Sequence, residues 1–78
     1  MQKCLVSIEA EFGTLPSEVL LNISLGNAKH LIVGHTLEFG TILDITAESQ
    51  TYLNDALMTF AQIQGVTKIT ILAIKSEQ

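Results

Sequence analysis

Residues 40–74, GTILDITAESQTYLNDALMTFAQIQGVTKITILAI, decide the fold. Thr41 to Thr46 is dense in β-branched residues, the composition of a strand. Ser49 then stands where a helix needs an N-cap. Behind it, Leu53, Ala56, Leu57, Phe60 and Ala61 recur at the spacing that draws one apolar stripe along a helix. Gly65 comes after the last of these and is placed for a left-handed C-cap. Val66 to Ile74 returns to a strand. Strand, helix, strand in that order predicts a β-α-β unit with its helix on one sheet face.

Upstream, the chain has to complete that sheet. Cys4 to Ala10 alternates, with Cys4, Val6 and Ile8 on one face and Leu5, Ser7 and Glu9 on the other, so it reads as a strand with one buried face. Gly13 and Pro16 mark a turn; Thr14 or Ser17 is placed to cap a helix beyond it, and Pro16 suits a first helical turn. Residues 17–25 carry two periods. Pro16, Val19, Leu20 and Ile23 have helical spacing, while Leu21, Ile23 and Leu25 alternate as in a strand. Gly26-Asn27 fits either a helix C-cap or a two-residue hairpin turn. A short helix is preferred, because it makes the two halves of the chain match. Lys29 to Thr36 is a strand, with Leu31, Val33 and His35 on one side and His30, Ile32 and Gly34 on the other. The short link to Thr41 joins antiparallel neighbours. The expected order is 4-1-3-2: an α+β, βαββαβ sandwich with a four-stranded antiparallel sheet and two helices on one face.

The chain has 78 residues, the size of a single domain. It is 47% apolar and only 15% charged, greasy for a small soluble monomer. Helices on one side cover one sheet face only. With Val6, Ile8, Leu43 and Ile45 turned toward them, the other face keeps Leu5, Ile42 and either Leu72 with Ile74 or Ile69 with Ile71. Each large aliphatic left in water forgoes roughly 1.5–3 kcal/mol of burial. The expectation is a homodimer or higher homo-oligomer in which a second copy covers this face.

A net charge of −4 with four lysines and no basic run argues against direct nucleic-acid binding. No segment reads as a signal peptide or a membrane span, so a cytoplasmic protein without membrane attachment is expected. The single Cys4 reads as a small buried hydrophobe. His30 and His35, an odd number of positions apart on a strand, are expected on opposite faces and form no metal site. Asp44 is expected on the uncovered face, paired with Lys68 or Thr70. No nucleophile-base set and no phosphate loop is present, so neither catalysis nor a cofactor is expected.

Two blocks carry a family resemblance: TLEFGTILDITAES at 36–49, a Gly- and acid-containing turn before an aliphatic strand and a helix start, and QIQGVTKITILAI at 62–74, a helix end, a Gly-Val pair and a last strand. They resemble the effector-binding module of Lrp/AsnC transcription regulators, the RAM domain, related in fold to ACT domains; the likeness covers nearly the whole chain, as one ferredoxin-like domain over 1–78. It implies a homo-oligomer that binds a small effector, commonly an amino acid, in clefts between subunits. Full-length members add an N-terminal helix-turn-helix; this chain starts at the first strand, which implies a sensor or assembly module without its own DNA reader. By position, Thr36, Glu38, Phe39, Gly40 and Thr41 contribute to the cleft. His35, beside the turn, is the histidine expected to face a ligand. The family's Gly after the Thr and Asp after the aromatic are Leu37 and Gly40 here, and Glu38 is the nearby carboxylate. A second resemblance is to small cytoplasmic chaperones that bind twin-arginine leader peptides of periplasmic nitrate reductases. They share the Gly-initiated third strand and the Gly-Val pair, but Ala73-Ile74-Lys75 stands where that family carries a His.

Overall fold

The structure, a computed structural model, describes residues 1–11, 17–35 and 40–76. Its elements are β1 (Gln2–Ala10), α1 (Ser17–Leu21), β2 (Ala28–His35), β3 (Thr41–Ala47), α2 (Gln50–Ala61) and β4 (Val66–Ser76). The sheet order is β2-β3-β1-β4 and every neighbouring pair is antiparallel. β3 and β4 therefore run parallel on either side of β1, joined by α2. This is the split β-α-β unit expected from residues 40–74, and the whole is an α+β, ferredoxin-like arrangement.

Ser49 caps α2: its side chain accepts a hydrogen bond from the Tyr52 backbone N–H at 3.2 Å. Leu53, Ala56 and Phe60 are fully buried and Leu57 packs partly against them. Ala61 is exposed, so the stripe is narrower than its spacing suggested. Gly65 does not cap the helix. Gln62 does, donating to the Met58 and Thr59 carbonyls. Gly65, at φ +97°, is the third residue of a turn closed by the Val66 N–H on the Ile63 carbonyl at 3.1 Å. Glycine adopts this positive φ without strain.

α1 is shorter than the expected 17–25. The chain leaves the helix after Leu21, and Ile23 and Leu25 reach inward from irregular backbone to pack on the core. Their alternation is that of a segment pinned at every second residue, not of a strand. Gly26, at φ +69°, lies in the bend before β2, too far along to cap α1. Of the residues proposed to start α1, Thr14 and Pro16 lie outside the described residues.

The core is one cluster: Cys4, Val6, Ile8, Leu20, Leu43, Ile45, Ala47, Leu53, Ala56 and Phe60. Val6, Ile8, Leu43 and Ile45 face the helices, as their alternation required. His30 ties the two helices together. Its Nε2–H donates to the Leu20 carbonyl at 2.6 Å, and its ring meets Phe60 edge-on, with centroids 5.3 Å apart at 78°. The carbonyl can only accept, so Nε2 carries the proton. Replacing His30 with alanine removes a bond that holds the end of α1 and an aromatic contact, together worth about 2 kcal/mol. We expect a melting temperature about 10 °C lower, with faster amide exchange confined first to β2 and α1.

Two of the sheet's three register shifts change what alternation alone predicts. Between Ile32 and Gly34, β2 gains a residue relative to β3, so Gly34 sits opposite Ile42 and His35 opposite Thr41. His30 opposes Ile45, so both histidines now lie opposite the covered face of β3, contrary to the odd-spacing expectation. They remain roughly 15 Å apart along the strand. In β4, Leu72 is the extra residue: Val6 opposes Ile71, yet Leu5 opposes Ala73. Ile69, Ile71 and Ile74 therefore fall opposite Ile8, Val6 and Cys4 on the helix side. Neither pair proposed for the open face, Leu72 with Ile74 or Ile69 with Ile71, lies on it together.

Candidate functional site

The open sheet face is built in four cross-strand rows. From the end where β1 begins they read Lys75, Lys3, Thr46, Lys29; then Ala73, Leu5, Asp44, Leu31; then Thr70, Ser7, Ile42, Gly34; then Lys68, Glu9. Each row comes from register, because residues opposite one another in an antiparallel sheet share a face. The centre mixes aliphatic residues with Asp44, Ser7 and Thr70. Leu5 and Ile42 are half-buried by their neighbours, Leu31 is 54% exposed, and the bulge residues Val33 and Leu72 are 51% and 48% exposed beside them. None of these belongs to the core cluster under the helices.

Charge is segregated on this face. All four lysines of the chain occupy its rows, together with Glu9 and Asp44 among the described acidic residues. Asp44 pairs in register with Leu5 and Leu31, not with Lys68 or Thr70; Lys68 faces Glu9 at the far end. This grouping was invisible in the sequence, where the lysines stand at 3, 29, 68 and 75; only the register brings them together.

Two shallow clefts open at the lysine end. One, about 210 Å³, is lined by residues including Gly26, Asn27, Lys29, Thr46 and Glu48. The other, about 170 Å³, lies among Lys3, Cys4, Leu5, Asp44, Ala73 and Lys75. Cys4 itself is a buried free thiol, and burial first, then the Asp44 carboxylate, pushes its pKa above the usual thiol value. It packs as a small hydrophobe.

Of the residues expected to form a ligand cleft, His35, Gly40 and Thr41 lie at the opposite end of the sheet. His35 is exposed, while Gly40 and Thr41 are buried. Thr36, Glu38 and Phe39 lie outside the described residues, as does Leu37. Thr41 is 1% exposed, and its Oγ1 has no hydrogen-bond partner among the described residues. A buried hydroxyl without a partner costs about 1–3 kcal/mol. Thr41→Val, which keeps the shape, should therefore raise the urea midpoint by the equivalent of about 1 kcal/mol. A drop would show that the hydroxyl is paired in solution.

Among the described residues no three His, Cys, Asp or Glu side chains gather as a metal site. No described helix is long and apolar enough to cross a membrane. Comparison of the chain with known proteins finds no matching family model, no matching curated protein and no matching solved structure.

Proposed function

We propose that the chain is a self-associating regulatory module: two copies meet through the open sheet faces and hold a small effector at the seam, in the manner of the RAM domains it resembles. One observation carries the reading. The helices sit on one side of the sheet, and Leu5, Leu31, Val33, Ile42 and Leu72 are left on or beside the other with no cover of their own. An aliphatic cluster, broken by Asp44 and rimmed by lysines, has the makings of an interface with a mostly apolar middle and a polar edge. A second copy is the occupant this reading takes, because a two-fold seam sets the same aliphatic patch of each chain against the other. The face measures about 20 by 25 Å from strand spacing and rise. That is at the low end for a stable interface, so association in the micromolar range is expected.

The alternative, a chaperone for a twin-arginine leader peptide, places an Arg-rich segment on the same sheet. The four lysines weigh against it there, because like charges across an interface are costly. Thermal-shift measurements with the amino acids, and separately with an Arg-rich leader peptide, distinguish the two. Under the effector reading an amino acid or related metabolite raises the melting temperature at saturation and the peptide does not. A rise with the peptide alone would replace this reading by the other.

A further inference from the structure

We infer that the second half of β4 has another register on β1, one without the bulge at Leu72, and that a second copy seated on the open face selects it. The inference rests on the seam proposed above.

Strand register is fixed where a buried face has to stay buried. The first half of β4 meets that condition, because Val66 and Ile69 pack against the core cluster. The second half does not. Residues 71–75 are all exposed. Ile71 is 49% exposed and Ile74 59%, although both lie on the side that carries the helices, and Leu72 between them is 48% exposed. β4 is also an edge strand, with β1 as its one neighbour in the sheet. Ile71-Leu72-Ala73-Ile74 thus offers aliphatic side chains to either face, and no buried face decides between them. The bulge stands at the joint between the two halves and leaves one residue out of the ladder.

Closing the bulge moves every residue after Ile71 by one position. Ile71 stays opposite Val6. Leu72 then opposes Leu5, Ala73 opposes Cys4 and Ile74 opposes Lys3. These replace the present pairs Leu5–Ala73, Cys4–Ile74 and Lys3–Lys75. A slip of one exchanges the faces. Ala73 leaves the open face for the helix side, Ile74 makes the opposite move, and Leu72 enters the row of Leu5, Asp44 and Leu31.

The two registers have different occupants to favour them. In the isolated chain an isoleucine opposite the buried Cys4 covers the flank of the core better than an alanine, which favours the bulge. A second copy on the open face reverses the preference, because it removes Leu72 and Ile74 from water only where both lie on that face. A partner shifts such an equilibrium by the difference in its affinity for the two states. Self-association and the register of β4 are then one coupled equilibrium.

The test is sedimentation equilibrium of two variants with opposite expectations, together with cross-strand NOEs of the parent chain. Ile74→Thr keeps a β-branched residue at a position that the bulged register holds away from the seam. It should weaken self-association about tenfold and leave the melting temperature within a few degrees of the parent. Ala73→Lys puts a cation in the middle of the open face in the bulged register, but at an exposed helix-side position in the other. It should associate within about threefold of the parent. NOEs of the associated parent should join Leu5 to Leu72 and Lys3 to Ile74, and they need no substitution, so a misfolded variant does not remove the test. A dimer indifferent to Ile74→Thr, abolished by Ala73→Lys and showing Leu5–Ala73 contacts would overturn the second register and leave the seam standing. A parent that stays a single chain refutes the seam and the selection with it. The NOEs of that monomer then decide the register alone: contacts of Leu5 with both Leu72 and Ala73 support it, and contacts with Ala73 only overturn it.

Discussion

Phe60→Ala is expected to leave the chain largely unfolded at 37 °C. Phe60 is 0% exposed, and it is the largest fully buried side chain of the core. It lies where α2 meets the sheet and gives His30 its edge contact. Truncation costs about 3–5 kcal/mol through lost transfer energy and the cavity left behind. A domain of this size has about 4–12 kcal/mol in total. The loss reaches both helices, because the His30 ring that carries α1 packs against Phe60 and donates to the Leu20 carbonyl. Circular dichroism melts should show the transition lowered by well over 10 °C or absent. A variant within a few degrees of the parent would mean that α2 does not seal the core as described.

The second large effect concerns assembly, not folding. Leu5 sits at the centre of the open face, opposite Asp44 on one strand and Ala73 on the other. Leu5→Lys places a cation beside the Asp44 carboxylate, so the isolated domain gains a partner for the new charge and should keep its melting temperature. Across a seam each copy forfeits the burial of its Leu5 side chain, roughly 1.5–3 kcal/mol, so a dimer of two copies loses a hundredfold or more in the dissociation constant. Folding unchanged and association lost is the expected pair of results. Equal loss of both would show that Leu5 supports the monomer and says nothing about a seam.

The order of elements and the choice of covered face were legible because each rests on a strong local signal. Ser49 caps α2, Leu53, Ala56 and Phe60 share a stripe, and Cys4, Val6 and Ile8 alternate without interruption. The signals failed where one residue shifts a register. Ile71-Leu72-Ala73-Ile74 is apolar throughout, so nothing in it marks Leu72 as the bulge residue. Val33-Gly34 likewise gives no sign, beyond the glycine, that His35 will oppose Thr41. A slip of one residue turns every later side chain to the other face. The histidine parity and the assignment of Ile69, Ile71 and Ile74 to faces therefore had to come from the structure. The lysine row was illegible for a different reason. Its members are distant in sequence, and pairing of three strands with a fourth brings them into line. Of the candidate ligand residues, His35, Gly40 and Thr41 are placed at the end of the sheet away from both clefts, and the remainder lie outside the described residues.

Sedimentation equilibrium of the unmodified chain across the micromolar range is the most direct measurement of the proposed assembly. The uncovered apolar face predicts a mass that climbs with concentration from that of one chain toward two, and a Leu5→Lys variant that stays at one throughout. A single chain mass at every concentration, for parent and variant alike, would contradict it.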